Sequence, residues 1–286
     1  MSKVIVIGKG PAGVSCAIYT VRAGIETVII GSGTGALGKA EKIENYYGLS
    51  APISGAELSE TGIEQARRLG AEIISEEVVG MGYDGGFSVK TQGGEYRAES
   101  VVIATGSPRK APGIKGIEEF EGRGVSYCAL CDAFFYRGKA VCVLGSGEYA
   151  INEARELMPI VGKVTILTNG DELAGEPPEG SEVVKTPLSE LKGGERLESV
   201  SFKDGSEIAT DGLFVAYGTA GSADLARKLG VFTEGNKISV NEDMETNIPG
   251  LFAAGDCTGG MLQVAKAVYD GAKAGMSAVK YLRGGK

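Results

Sequence analysis

The sequence predicts an α/β protein built from two doubly wound, Rossmann-like nucleotide-binding folds, the second inserted into the first. Three observations carry this. A β-branched run, Val4–Ile7, ends in a glycine turn, Gly8-x-Gly10-x-x-Gly13, that opens a helix of small residues. A second run, Ala140–Leu144, ends in a second turn, Gly145-Ser146-Gly147, followed by a second helix. Glycine supplies 46 of the 286 residues, about twice the usual share of roughly 7 %, and strand-turn-helix corners are where such residues are needed.

Each element follows in order. Val4–Ile7 is a continuous apolar run of the kind buried on both faces of a parallel sheet, and residues 11–23 read as a helix whose small side chains allow close packing on it. Thr27–Ile30 returns as a strand and completes one β-α-β unit. Residues 46–69 read as a loop and a helix, and residues 72–79, 87–91 and 96–104 as strands. Residues 107–113 hold two prolines and two charges, which suits a linker. The second unit runs through Ala140–Leu144, a helix over 149–158 and a strand over Lys163–Leu167. Residues 213–218 and 251–254 are further buried-strand runs, and a helix is expected over 261–283. The resulting domain layout is 1–112, an inserted 113–210, and 211–286, with turning points expected near 107–115 and 206–212.

Composition narrows the chemistry. With 29 basic and 37 acidic residues the net charge is −8, which disfavours nucleic acid as a partner. The chain has no histidine, so Ser-His-Asp, Cys-His and HExxH chemistry are excluded, and reactivity must come from a cofactor, thiols or carboxylates. The longest uncharged stretches, such as 10–21 and 212–223, hold 12 residues, short of the roughly 18–20 needed to span a bilayer. No membrane partner is expected. The first residues read directly as a strand rather than a signal peptide, so a cytoplasmic location is expected.

The first glycine turn follows a strand and opens a helix, the setting in which Gly8, Gly10, Pro11, Ala12 and Gly13 cradle a dinucleotide pyrophosphate; the plainer reading is a tight turn. The acidic ribose residue expected ~20 positions on is replaced by Gly31-Ser32-Gly33, leaving ribose contacts to Ser32 or elsewhere. Five cysteines are present, of which only Cys128 and Cys131 are spaced as a pair. That pair fits a redox disulfide, half a zinc site or two buried thiols, and zinc is weakest because the chain offers no convincing further ligands, so no metal is expected. Asp132 fits a proton carrier for thiol chemistry, or a carboxylate favoured in a first helical turn. Gly255-Asp256 after an apolar strand fits a ribityl-binding corner, with the helix start at Gln263-Val264 presenting N–H groups; the plainer reading is a strand-turn-helix cap.

These residues resemble the low-molecular-weight flavoprotein thioredoxin reductases. The likeness includes Gly8 to Gly13, Ile43-Glu44-Asn45 before Gly48, Ala104-Thr105-Gly106, the stretch from Gly122 through Cys128 and Cys131-Asp132-Ala133-Phe134-Phe135-Tyr136-Arg137, and Pro249 to Asp256. It spans nearly the whole chain. The resemblance implies a FAD domain formed by the two chain ends, an inserted nucleotide domain bearing the cysteines, and a homodimer. It implies FAD contacts at Asn45, Thr105, Gly106, Gly255, Asp256, Gln263 and Val264. It also implies that Cys131 faces the flavin while Cys128 attacks the disulfide of thioredoxin or a thioredoxin-like protein.

One departure bears on the electron donor. NADPH-dependent members of that family carry arginines after the second strand of the inserted domain, whereas this chain reads Thr168-Asn169-Gly170-Asp171-Glu172, with no basic residue before Lys185. Pro177-Pro178 also interrupts the expected crossover helix. Gly145-x-Gly147-x-x-Ala150 persists, either to bind NADH or because helix-strand packing needs small residues, and packing is favoured. The departure resembles the branch that takes electrons from reduced ferredoxin. Docking an acidic ferredoxin would use the basic excess over 109–139 or 258–286, each of which also fits an ordinary solvated surface. The expectation is a FAD-dependent disulfide reductase driven by ferredoxin. The alternatives are an NADH- or NADPH-driven thioredoxin reductase, a flavin oxidase and a redox-sensing flavoprotein.

Overall fold

The computed structural model describes residues 4–33, 35–106, 113–127, 129–217 and 221–284, with Leu130 and Cys131 described by their backbone. The chain divides into two compact units, Met1–Pro108 with Gly221–Lys286, and Arg109–Ala220. The first begins with β1 (Val4–Ile7), α1 (Pro11–Arg22), β2 (Thr27–Ile30), α2 (Gly55–Arg68), β3 (Glu72–Ile74), β4 (Val78–Tyr83), β5 (Phe87–Thr91), β6 (Glu95–Ala98) and β7 (Ser100–Ile103). The second holds β8 (Val125–Ser126), α3 (Ala129–Asp132), β9 (Ala140–Leu144), α4 (Glu148–Leu157), β10 (Lys163–Leu167), β11 (Glu182–Val184), β12 (Leu188–Gly193), β13 (Leu197–Phe202), β14 (Glu207–Ala209) and β15 (Gly212–Val215). The chain then closes the first unit with α5 (Ser222–Arg227), β16 (Thr233–Glu234), β17 (Lys237–Ile238), β18 (Leu251–Ala253) and α6 (Val264–Leu282).

The first unit is organised on a parallel sheet in the order β18-β7-β1-β2-β3. Every residue of β1, β2, β7 and β18 is buried, as continuous apolar runs require in a parallel sheet covered on both faces. Pro11 opens α1 with its φ already helical, and Gly13, Ser15, Cys16 and Ala17 bring that helix against α6. The approach is at backbone level. A Cβ at Gly271 would run into the Ala12 carbonyl, one at Gly275 would sit 2.7 Å from the Cys16 carbonyl, and Ser15 Oγ donates to the Val268 carbonyl at 2.7 Å.

Two expected strands are each two. Residues 72–79 split into β3, at the edge of the parallel sheet, and β4, in an antiparallel sheet β4-β5-β6. Residues 96–104 split at the exposed Glu99. The half-exposed pattern of β6 suits antiparallel pairing with β5, while the fully buried β7 lies beside β1.

The second unit has a parallel sheet in the order β11-β10-β9-β15-β8 and an antiparallel sheet β12-β13-β14 that the sequence pattern did not predict. The expected boundary at 210/211 is corrected: β15 pairs with β9 and β8, so residues 211–217 belong to the inserted unit. A buried apolar run announces a parallel strand without saying which sheet it joins. The turning point expected over 206–212 is likewise built into this unit. It contains β14, and Gly212 lies so close to the Tyr136 ring that a Cβ would come within 2.9 Å of it. The other expected linker falls largely on residues 107–112, outside the described residues. Between β10 and β11 the chain runs without a helix, as Pro177-Pro178 demands.

Candidate active site

The cofactor end of the first unit is set by strand register. Ile7 lies opposite Ile103, and Ile103 opposite Ala253, so β1, β7 and β18 finish level and the turns after them meet. Such carboxyl ends are where doubly wound sheets bind ligands. Gly8, at φ +111°, sits so tightly that a Cβ would strike the Ala104 carbonyl, and a Cβ at Gly13 would strike the Gly8 carbonyl. Gly10 differs. A Cβ there would meet nothing within 4 Å, so it borders free space rather than packing. Gly255, at φ +84°, comes within 2.8 Å of the Ala12 Cβ by the same construction, which places the Gly255-Asp256 corner against the start of α1.

The remaining predicted contacts fall around this corner. Thr105 Oγ is buried and meets no hydrogen-bond partner among the described residues, an orphan that a cofactor polar atom would satisfy. Gly106, at φ +78°, follows it. Asn45 Nδ2 donates to Gln263 Oε1 at 3.0 Å, tying the Asn45 loop to the residue preceding α6. The Ile43–Ile53 bridge holds that loop. Asp256 opens a short 3-10 turn, Val264 is the first residue of α6, and Ser32 lies exposed just beyond β2. A pocket of about 360 Å³ shares Gly10, Pro11 and Val264 with the site and adds Lys9 and Tyr46. The open glycine cradle, the orphan hydroxyl and two helix starts fit a dinucleotide-type cofactor. Cys16 and Cys257 in this unit are not candidates for thiol chemistry, because burial pushes both thiols up to about 12.

The cysteine segment lies in the second unit. Cys128 is outside the described residues, and Cys131 lies on the short helix α3. Ser126 Oγ donates to Asp132 Oδ2 at 2.7 Å, so the predicted proton carrier is held in place. A residue absent from the sequence-level site supports the same helix. Glu153, only 1 % exposed on α4, accepts the Ala129 N–H at 2.9 Å. One of three glutamates on an amphipathic helix gives no sequence signal that it alone points inward. Beyond α3, Phe134 and Phe135 are 69 % and 67 % exposed, with the Arg137 guanidinium 5.3 Å from the Phe134 ring centre. Tyr136 turns inward onto Phe214.

The second glycine turn is covered by its own chain. The Ala174 N–H donates to the Ser146 carbonyl at 2.8 Å, and Ser146 Oγ reaches Asp171 Oδ2 at 3.4 Å. A Cβ at Gly175 would lie 2.7 Å from Glu148 Oε1 and 3.3 Å from Ile151 Cδ1. Residues 171–175 therefore lie across the start of α4, with Asp171 and Glu148 beside the turn. Glu172 pairs with Lys185, the first basic residue after the strand.

The two basic segments fare differently. Over 258–286, Lys266 pairs with Asp270 at 2.6 Å, Lys273 pairs with Asp243 at 3.0 Å, and Arg283 donates to the Ala23 carbonyl, so most of that charge is committed. Over 109–139, Arg137 and Lys139 stay exposed beside the Phe134 ring and the Tyr136 ring respectively.

Known proteins resemble this chain along its full length. Residues 2–271 match the family described as pyridine nucleotide-disulphide oxidoreductase. The thioredoxin reductase of Aquifex aeolicus is 36 % identical over 99 % of this chain and 94 % of its own. The atypical thioredoxin reductase TRi of Desulfovibrio vulgaris Hildenborough is 44 % identical, with a TM-score of 0.93 over 99 % of this chain and 98 % of its own. A ferredoxin-flavin thioredoxin reductase from Clostridium acetobutylicum is 35 % identical, with a TM-score of 0.74 over 98 % of each chain.

Proposed function

Since the chain belongs to the pyridine nucleotide-disulphide oxidoreductase family, as a FAD-binding flavin disulfide oxidoreductase of the thioredoxin reductase type, we propose that it reduces thioredoxin or a thioredoxin-like protein with electrons from reduced ferredoxin. The observation that carries the donor is the second glycine turn. A pyridine nucleotide would need the start of α4, where residues 171–175 lie and where Glu148 and Asp171 repel a pyrophosphate. FAD would be held by the Gly8–Gly13 turn, by Thr105 and Gly106, and by Gly255 and Asp256, with Ser32, Asn45, Gln263 and Val264 completing the site.

When bound, FAD supplies the electron pair that converts the Cys128–Cys131 disulfide to two thiols. The Cys128 thiolate attacks one sulfur of the partner disulfide and expels the other as a thiolate, which takes up a proton. The Cys131 thiolate attacks Cys128 in the mixed disulfide, releasing the reduced partner and restoring the internal disulfide. Asp132, oriented by Ser126, gives and takes the protons of this exchange. The exposed Phe134 and Phe135 offer apolar contact area next to the cysteines, and Arg137 and Lys139 offer positive charge for an acidic donor. The working form is a cytoplasmic homodimer.

A second reading, NADH or NADPH as donor, is favoured by the surviving Gly145-x-Gly147-x-x-Ala150 turn and by the match to a pyridine nucleotide-disulphide oxidoreductase family. One anaerobic experiment separates the two. The FAD-loaded protein is mixed in turn with NADPH, NADH and a reduced ferredoxin, and bleaching of the flavin band is followed. Rapid bleaching by ferredoxin alone is expected, and rapid bleaching by either nucleotide overturns the proposal. Cys128→Ser and Cys131→Ser are each expected to abolish thioredoxin reduction, and parent-like turnover by either variant overturns the exchange mechanism.

A further inference from the structure

The chemistry assigned so far leaves one buried charged pair unused. On α6, Lys266 Nζ lies 2.6 Å from Asp270 Oδ2, with the two side chains 19 % and 4 % exposed. The ammonium donates to the Gly255 carbonyl and to Thr258 Oγ, both at 2.9 Å, so all three of its protons have acceptors. The Asp270 carboxylate accepts the Gly255 N–H at 3.1 Å. Gly255 is thus gripped at both of its backbone groups, the N–H by the anion and the carbonyl by the cation. Thr258 closes the ring by donating its hydroxyl to the same carbonyl at 2.8 Å.

This grip falls on a residue that needs it. Gly255 sits at φ +84°, where glycine passes easily between backbone states, and a flip of the Gly255-Asp256 peptide would exchange the directions of its carbonyl and N–H. In a trans peptide the two point opposite ways, so fixing the Gly255 carbonyl toward Lys266 turns the Asp256 N–H away from the clamp. A buried ion pair contributes little net stability, since desolvation offsets most of its attraction. Its use here is orientation.

We infer that Lys266 and Asp270 are positioning residues for FAD, a buried ion pair that fixes the two peptides flanking Gly255, Asp270 the one before it and Lys266 the one after it, in the orientation that receives the cofactor. This rests on FAD as the cofactor and is independent of the electron donor. The pair touches the corner and not the reacting atoms, so its loss weakens cofactor binding and changes the flavin environment while leaving the sheet intact.

The test uses the full chain, stripped of FAD and titrated with it, with binding read from the quenching of FAD fluorescence. Lys266→Met/Asp270→Met replaces both charges with apolar side chains and avoids stranding a buried charge. The apoprotein is expected to melt within about 3 °C of the parent apoprotein, while FAD binds about tenfold or more weakly and its bound absorbance spectrum shifts. Lys266→Gln, which keeps a donor for the Gly255 carbonyl, is expected to recover part of the affinity. Parent-like FAD affinity and spectrum in the double variant overturn the inference, as does an apoprotein destabilised as much as its holoprotein. If the double variant does not fold, Lys266→Gln and Asp270→Asn decide by the same two readings. A parent that binds no FAD overturns this inference together with the cofactor; a parent that binds FAD beside unaffected variants overturns this inference alone.

Discussion

The chain contains the same corner twice, and the two copies have opposite surroundings. Gly10 and Gly147 each precede a helix in extended conformation, at φ −78° and −89°, and Gly8 and Gly145 each pack so tightly against the end of a neighbouring strand, at Ala104 and Ala216, that no side chain fits. Around the first, the space beside Gly10 is open, the buried Thr105 hydroxyl lacks a partner and the first turn of α1 carries no acid. Around the second, residues 171–175 lie across the turn, and Glu148 and Asp171 bring negative charge to it. A glycine turn is thus a packing requirement of any close strand-helix corner. It becomes a binding site only when the space and charge around it suit a ligand.

The largest expected contrast is between the three buried thiols, two in the first unit and Cys142 in the second, and the Cys128-Cys131 pair. Burial raises Cys16 and Cys257 to about 12 and Cys142 to about 11, from an ordinary value of 9. The shift of about three units lowers the thiolate fraction of the first two by about a thousandfold at pH 8. Iodoacetamide applied to the native reduced protein at about pH 8 is expected to label Cys128 and Cys131 and to reach the other three only after denaturation, as counted by mass spectrometry. Raising the pH increases the thiolate fraction of a buried thiol, so any slow labelling of those three grows with pH. Early labelling of Cys257 would break the separation of cofactor unit from thiol unit.

The matched substitutions Gly10→Ala and Gly147→Ala test the corners directly. Both positions tolerate a side chain by their backbone angles, and thermal melts of both apoproteins check that each variant folds. Gly10→Ala places a methyl in the cofactor space and is expected to weaken FAD binding by about a hundredfold, whereas Gly147→Ala should leave it within about twofold. Equal effects would mean that the corners do not differ in use.

Much of this contrast is legible in the sequence, and what is not has physical causes. The β-branched runs before Gly8 and Gly145 announce two buried parallel strands, and the acidic residues 171–172 announce the negative charge beside the second turn. The membership of Gly212–Val215 in the second sheet is not legible, because Leu-Phe-Val pairs equally well with either sheet and only the three-dimensional chain path decides. The antiparallel strands between Leu188 and Ala209 keep no regular alternation, since β12 is irregular and residues 199–202 of β13 are all buried, so the period-two signal of such strands is broken. Lys266 and Asp270 look like an ordinary solvated i,i+4 pair until α1 and the 255–258 turn bury them.

Thr105→Val sharpens the first corner through two effects of opposite sign. In the apoprotein the hydroxyl is buried without a partner, which costs about 1–3 kcal/mol that an isosteric methyl removes. The variant apoprotein is therefore expected to melt higher than the parent. In the holoprotein the same change deletes the hydrogen bond proposed between Thr105 and the cofactor, so FAD affinity is expected to fall about tenfold. Thermal melts and FAD titrations of the two forms check both signs, and a variant whose affinity is unchanged would place the cofactor elsewhere.

The smallest effect belongs to the second corner. Glu148→Gln/Asp171→Asn removes two negative charges beside the turn while keeping groups able to accept the Ser146 hydroxyl, and leaves the Ala174 to Ser146 backbone bond in place. Both carboxylates lie near the surface, where an effective dielectric of about 20 or more limits each repulsion to a small fraction of its interior value. NADPH affinity, measured by calorimetry, is expected to improve only about threefold to tenfold, because residues 171–175 still lie across the start of α4. A gain of several hundredfold would show that charge alone closed the site, and the two corners would then differ in electrostatics rather than in the space left for a ligand.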